Sequence, residues 1–548
     1  MSKIQWLNKP AKIFLKNGYL EEEESPELRI EDLVKTAKNI LGDFWDADQF
    51  LENIEAGDYL FSTPVWANFG RKRGLPISCF NSYLSDTMDS ILFNLAEVAT
   101  MTKNGGGTSG YFGELRPRGA AISSGGKSDG VVNFMRLFDT AMITCKQASI
   151  RRGVMGCYLP IDHGDINEFL KIKQEGSPIQ DLFTGVCVTD EFMKGMIDGD
   201  KKKRDVWAKV LKSRSEVGMP YIFFTDNANK GAPKVYKDKG RKIHGSNVCS
   251  EIMLSSNEEE SFVCCLSSMN LLNYDRWKDT NAVELLAYFL DAVLTEFINK
   301  AKDIHFMERS VRFAENQRAI GIGATGWHSL LQSKMIAFES LEAQMLNCEI
   351  FETMNKQSLE ASKKAAKQLG EPEMLKGYGE RWATRHAVAP NTSSAFILGQ
   401  GSQSIEPFKS NYYVKDLAKF KYTFKNPYLE KVLEEKGLNI DETWDSILLK
   451  NGSVQHLPFL SQHEKDVFRT FTEIGAKETV IQAAQRQKYI DQGQSLNLMI
   501  PPDTTTKDIN SLIIFAWESG IKSLYYQHST NAAQAFYRKL NECSNCEG

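Results

Sequence analysis

From Pro64 onward, and for more than 400 residues, the chain alternates short apolar runs broken by glycine and serine with longer stretches of helical spacing. PISCFNSYL, GVCVTDEF and FVCCLSSMNLL are examples of the first kind, and AVELLAYFLDAVLTEFINKA of the second. The short runs have strand length, whereas the long ones repeat their apolar residues every three or four positions. Strands and helices taken in turn over such a distance predict an α/β fold, with a barrel or a doubly wound sheet both open. Upstream, Leu33, Ala37, Ile40 and Leu41 recur at helical spacing, which predicts a small N-terminal helical region over 1–70. At the other end, 531–548 closes in NECSNCEG, too poor in apolar residues to pack, and reads as a mobile tail.

Charge narrows the partners. Lys and Arg number 66 against 70 Asp and Glu, a formal net charge of −4, so no global positive field exists to hold a polyanion and nucleic acid is not expected. The first twenty residues never collect the apolar run of a signal peptide, and nowhere do about 18 apolar residues follow one another. A cytoplasmic protein without membrane contact is expected. Ten cysteines in 548 residues, without the density of a stapled secreted domain, point to thiols, ligands or catalysts rather than structural disulfides.

The positions of those cysteines carry the chemistry. In SNVCSEI, Asn247, Cys249 and Glu251 are spaced by two, and in an extended segment that spacing aims all three side chains to one side. A thiol flanked by an amide and a carboxylate suits redox or radical chemistry with acid–base assistance, although by residue type alone a partly buried cysteine between polar neighbours is the commoner case. Cys79 and Cys264 sit in strand-like runs, and strand-borne thiols distant in sequence can face one another and join reversibly. Cys265 points to the opposite side and reads as core. Cys543 and Cys546 form a C-x-x-C pair with no second pair at zinc-ligand spacing, so a dithiol shuttle on the tail is the better reading. Tyr525 and Tyr526 end an apolar segment, where adjacent phenols usually pack but are also able to hold a radical.

Two glycine- or hydroxyl-rich loops, 103–110 and 389–394, offer backbone amides to phosphate, and neither is closed by the Gly-Lys-[Ser/Thr] of a P-loop. The run Gly321 to Gly326 matches G-x-G-x-x-G, but the charged RSVRFAENQRA before it is no strand for a dinucleotide fold.

As a set, these residues resemble the large, catalytic subunit of class I ribonucleotide reductase. The resemblance runs from about Phe61 to the end and lies in the order of six motifs. These are Ser78-Cys79, N-x-C-x-E at Asn247 to Glu251, the cysteine before L-S-S-M-N-L, the P-N-T-S-S loop, L-Y-Y-Q and the terminal cysteine pair. It implies a ten-stranded α/β barrel of two five-stranded halves over 71–530, with Cys249 on a loop inside it. It further implies that Cys249 becomes a thiyl radical, that Glu251 takes the 3′-hydroxyl proton and Asn247 holds the sugar. Cys79 and Cys264 would supply the reducing equivalents, and Cys543 and Cys546 would restore them. Tyr525 and Tyr526 resemble the relay that receives the oxidising equivalent from a separate dimetal small subunit, which favours class I over the cobalamin-dependent class.

For the substrate diphosphate the resemblance implies Thr63, Ser78, Gly107, Pro390, Asn391, Thr392, Ser393 and Ser394, together with Asn247 at the ribose. For a nucleoside triphosphate effector at a homodimer interface it implies Asp86, Arg116 and Arg151. It implies no metal in this chain, ribonucleoside diphosphates as substrates, and thioredoxin or glutaredoxin as the dithiol reductant. Two departures are visible. Barely 60 residues precede Phe61, so the helical activity domain of many relatives is expected to be missing. The wording of the loop Pro390 to Ser394 is also not the most usual one.

Overall fold

The computed structural model describes residues 4–77, 79–123, 125–145, 153–392, 394–398, 401–417, 420–529 and 534. Tyr59–Phe61 (β1), Cys79–Tyr83 (β2), Gly107–Tyr111 (β3), Met155–Pro160 (β4), Leu182–Val188 (β5), Tyr221–Phe224 (β6), Phe262–Asn270 (β7) and Ile320–Thr325 (β8) are the strands of the first two thirds. β2 to β6 pair in parallel, each with the next, through helices such as Met88–Lys103 and Val131–Thr144. Parallel strands are covered on both faces, and every residue of β5 is accordingly buried.

A second parallel set faces this one. β7 pairs in parallel with β8, residues 384–388 continue from β8 through the bridge Ile322–His386, and residues 492–496 continue from there through Val388–Gln494. Leu498–Ile500, Ser523–Leu524 and Gln527–Ser529 follow as β11, β12 and β13 after the hairpin Tyr412–Leu417 (β9) and Phe420–Lys425 (β10). The Tyr525 amide donates to Leu496 O and the Leu498 amide to Tyr526 O, which closes the second set. The two sets meet antiparallel at both seams, β2 with β7 and β6 with β12. The expected ten-membered α/β barrel is present, but two of its members, 384–388 and 492–496, are held by a few backbone bonds rather than by regular ladders. Both are short and dense in polar residues, which the search for apolar runs passes over.

The G-x-G-x-x-G run belongs to β8 and the turn after it. A Cβ on Gly321 would lie 2.5 Å from Leu266 Cδ2 and 3.3 Å from Cys264 Sγ, and one on Gly323 would lie 2.8 Å from Ala387 O. These glycines let neighbouring strands and one sulfur approach; they cradle no nucleotide.

At the N-terminus, helices Lys9–Lys16, Pro26–Leu41 and Ala47–Ala56 each start on a side chain that caps a backbone amide, respectively Asn8, Ser25 and Asp46. The second and third pack on Ala282–Ala301, a helix apolar on nearly all sides because it lies between them, helix Leu341–Leu369 and the barrel. Asp291 in its middle is fully enclosed; burial alone would raise its pKa, but Arg318 and Arg381 hold it below the usual carboxylate range. Its core is continuous with that of the barrel. Among the described residues no helix is long and apolar enough to cross a membrane. The expected tail, 531–548, lies outside the described residues apart from Gln534.

Arg29 ties the helical region to the sheet. Arg29 is 1% exposed, and its guanidinium donates to Trp66 O and Phe69 O, at the end of the short helix Thr63–Asn68 that follows β1, and to Val65 O, which also accepts the Phe69 amide. Arg29→Met leaves the buried Trp66 and Phe69 carbonyls without their donor, and chemical denaturation should show a loss of about 3 kcal/mol. A loss under about 1 kcal/mol would mean that water replaces the guanidinium there.

Candidate functional site

After β6 the chain enters the barrel. Residues Ser246, Asn247, Ser250, Glu251, Ile252, Met253 and Leu254 are all buried, although no helix or strand contains them. Such a segment needs partners for its backbone polar groups. Tyr158 Oη donates to Asn247 O at 2.7 Å, Ser495 Oγ to Cys249 O at 2.5 Å, Ser523 Oγ to Ser250 O at 2.7 Å and the Gly493 amide to Glu251 O at 2.8 Å. The donors come from both halves of the barrel, so the loop hangs between them.

The tip is a turn and not the extended run that the alternate spacing suggested. Ser250 has φ of 63°, its amide donates to Asn247 O, and Asn247 Oδ1 accepts the amides of Glu251 and Ile252, each at 3.1 Å. Asparagine favours such turns because its side chain imitates a backbone acceptor. Asn247, Cys249 and Glu251 therefore come together by a turn, with Cys249 half-buried at its apex. Glu251 Oε2 accepts Ser495 Oγ at 3.0 Å. Burial pushes its carboxyl up to about 7, against the smaller downward pull of a backbone amide, Asn247 and Ser495.

Cys79 and Cys264 are direct partners in the antiparallel seam of β2 and β7. Opposed residues of such a pair share a face with Cα atoms about 4.5–5.5 Å apart, inside the range that a disulfide spans. Both are thiols here, Cys79 half-buried and Cys264 1% exposed. Asn247 Nδ2 lies 3.8 Å from Cys79 Sγ, so the loop tip touches the thiol pair. Burial, and then the neighbouring Cys79, pushes the Cys264 thiol well above its ordinary pKa. Cys265 alternates to the opposite side of β7 and opposes Ile320 of β8.

Tyr525 and Tyr526, between β12 and β13, have ring centroids 4.4 Å apart. Tyr221 of β6 meets them at 4.7 and 5.1 Å, and the three share one apolar cluster with Val248 and Cys249. Arg214, fully buried, fixes the segment by donating to Tyr525 O. The tyrosines thus share the apolar cluster of Cys249, which does not include the thiol pair.

The remaining candidates fall in three places. Gly107 begins β3 directly beside Cys79. Thr63 is buried at the head of its short helix, and the turn Ser394–Phe396 abuts β1 just before it. Pro390, Asn391 and Thr392 lead into that turn, where Asn391 adopts φ of 53° and donates from Nδ2 to Ser268 Oγ and Ala324 O. Asp86 and Arg116 lie outside the barrel and pair with each other at 2.6 Å. Ser78, Arg151, Ser393, Cys543 and Cys546 lie outside the described residues.

Several residues of the site were not read from the sequence. Tyr158, Tyr221, Ser495 and Gln492 hold the loop or its thiols, and Gln492 Nε2 lies 3.7 Å from Cys264 Sγ. Each belongs to a run with no motif, and only closure of the barrel brings them to the site.

Three comparisons agree. The family model for the ribonucleotide reductase barrel domain matches residues 77–203, 196–375 and 372–527. The ribonucleoside-diphosphate reductase large subunit of Invertebrate iridescent virus 3 is 32% identical over 625 residues, covering 97% of each chain. A Frog virus 3 protein named for the same subunit is 36% identical over 521 residues, covering 90% of this chain and 91% of its own. Among solved structures, the class Id ribonucleotide reductase alpha subunit of Actinobacillus ureae superposes with a TM-score of 0.92 at 51% identity, over 98% of this chain and 99% of that one. With its barrel, its enclosed thiol loop and relatives matched end to end, the chain belongs to the ribonucleotide reductase large-subunit family.

Proposed function

We propose that this chain is the catalytic subunit of a class I ribonucleoside-diphosphate reductase, converting ribonucleoside diphosphates to 2′-deoxyribonucleoside diphosphates. The observation that carries the reading is the enclosed loop, which holds Cys249 and Glu251 on a rigid turn whose Asn247 touches one of two opposed thiols.

Cys249, as a thiyl radical, takes the 3′ hydrogen atom of the ribose. Glu251 accepts the 3′-hydroxyl proton while Asn247 holds the sugar, and the 2′-hydroxyl leaves as water. Cys79 and Cys264 give up two electrons and two protons and become a disulfide, and the hydrogen atom returns from Cys249 to C3′. A dithiol then reduces the disulfide, and Cys543 and Cys546 are the relay for it. The barrel supports this chemistry because an enclosed radical is kept from solvent and stray donors. A radical-generating dimetal small subunit supplies the oxidising equivalent through Tyr526 and Tyr525, and their packing with Cys249 in one apolar cluster supports that route.

Thr63, Ser78, Gly107 and Pro390 to Ser394 bind the diphosphate; the nearness of the Ser394 turn to β1 and Thr63 supports one pocket for it. Asp86, Arg116 and Arg151 bind a nucleoside triphosphate effector at a homodimer interface. Met88, Leu92, Leu137 and Ile143 stand 42–53% exposed on helices Met88–Lys103 and Val131–Thr144, which pack together beside Asp86 and Arg116, and such an apolar face supports a second copy there. The chain works in the cytoplasm with thioredoxin or glutaredoxin as its reductant.

The deciding experiment measures deoxycytidine diphosphate formed from cytidine diphosphate with a dithiol and effector. Turnover should require a class I small subunit and should vanish in Cys249→Ser with nucleotide binding retained. Turnover with adenosylcobalamin and no second subunit would overturn the class, and a turning-over Cys249→Ser would overturn the thiyl role. Because Glu251 must be ionised to accept a proton and burial raises its pKa, activity should fall as pH drops below about 7. An acid limb in the ordinary carboxylate range would remove Glu251 as the base. Tyr526→Phe should lose turnover while binding the small subunit normally, and full activity in that variant would exclude the relay.

A further inference from the structure

We infer that Gln492 is a further catalytic residue of the thiol pair: its amide N–H stabilises Cys264 as the leaving thiolate when an incoming thiolate attacks the disulfide at Cys79. The inference rests on the reading of Cys79 and Cys264 as the redox pair.

The geometry fixes which end of the amide faces the sulfur. The Met253 amide can only donate, and it reaches Gln492 Oε1 at 3.3 Å. Ile320 O can only accept, and it lies 2.9 Å from Gln492 Nε2. Turning the amide over would break both bonds, so Nε2 is the atom beside Cys264 Sγ. Nε2 has two protons and three acceptors within reach, the third being Thr384 Oγ1 at 3.0 Å. With Cys264 uncharged the two oxygens take those protons. A thiolate draws one toward itself, because a charged acceptor binds more strongly than a hydroxyl. The Gln492 main chain is held independently, its carbonyl receiving Lys522 Nζ at 2.8 Å and Gln487 Nε2 at 3.0 Å.

The two sulfurs are not equivalent. Cys79 is half-buried and Cys264 almost wholly enclosed, so an entering thiolate reaches Cys79 first. Its attack forms a bond to Cys79 Sγ and breaks the bond to Cys264 Sγ, which leaves with the electron pair. The second thiol of the reductant then attacks the mixed disulfide, Cys79 leaves beside Asn247 Nδ2, and the reductant departs as a disulfide after giving up two electrons. A thiolate released into an apolar enclosure is a poor leaving group without a donor. Gln492 is placed to be that donor.

The test uses full-length chain with the Cys79–Cys264 disulfide formed by one turnover in the presence of the small subunit. A monothiol, 2-mercaptoethanol, should be trapped on Cys79 with Cys264 free, as read by peptide mass spectrometry. Dithiothreitol should reduce the disulfide about tenfold more slowly in Gln492→Met than in the native chain, the loss of one hydrogen bond to a charged sulfur. In Gln492→Met the monothiol should still be trapped on Cys79, so that a slower rate with the same attacked sulfur separates a role in releasing Cys264 from a collapsed seam. Trapping on Cys264, or an unchanged reduction rate, would overturn the assignment while leaving the redox pair intact. Absence of any Cys79–Cys264 disulfide after turnover would instead remove the pair itself and the assignment with it. The trapping result comes from the native chain and stands even where Gln492→Met fails to fold.

Discussion

The site depends on the hydrogen bonds that Asn247 Oδ1 accepts from Glu251 and Ile252. They close a turn in a segment with no helix or ladder to support it, and they set the positions of the thiol and the carboxylate on either side of Ser250. The same side chain spends its Nδ2 on Cys79 Sγ, so one residue joins the loop tip to the seam of the barrel. A single amide with both an acceptor and a donor does this, and neither aspartate nor leucine of similar size offers both.

A loop of this kind inside a barrel is costly unless its carbonyls are met. Hydroxyls supply most of the answer: Tyr158, Ser495 and Ser523 donate to the carbonyls of Asn247, Cys249 and Ser250, from β4, from 492–496 and from β12. An O–H donor on a short side chain allows a close approach without bringing in charge. The arrangement also explains why 492–496 is not a regular strand. Gln492, Gly493 and Ser495 are committed to the loop, with Gly493 bonding Glu251 O, and a Cβ on that glycine would stand 3.1 Å from the same oxygen. Regular pairing has been given up there for contact with the loop.

What was readable in the sequence divides along the same line. The alternation of apolar runs and helical stretches was enough for the α/β class, and the closed ring of ten members follows the resemblance. The residues with reactive side chains, Cys79, Cys249, Glu251 and Cys264, were singled out by the order of the motifs that contain them, because a cysteine taken singly is ordinary core. The residues that hold them were not. Ser495, Gln492, Tyr158 and Tyr221 are common residue types in ordinary contexts, and their roles arise only from contacts between segments some 90 to 300 positions apart. The convergence of Asn247, Cys249 and Glu251 was expected for the wrong reason. Alternation on an extended chain and a tight turn both place residues two apart near each other, and only the left-handed Ser250 distinguishes them.

Two environments meet at the loop. Cys249 packs in one apolar cluster with Val248, Phe183, Met219 and the rings of Tyr221, Tyr525 and Tyr526. Its neighbours along the chain instead meet polar groups, Glu251 bonding Ser495 and Asn247 reaching the thiol pair with its amide donors. Under the proposed chemistry these are the surroundings that two different transfers need. An oxidising equivalent moving between phenols and a thiol gains from apolar packing, which excludes water and holds the rings in contact. Proton removal from a sugar and reduction of a carbon–oxygen bond need polar groups with fixed directions. Cys249 takes part in both transfers and stands at the boundary between the two environments. Asn247, which closes the turn and also reaches Cys79, ties the residue to both.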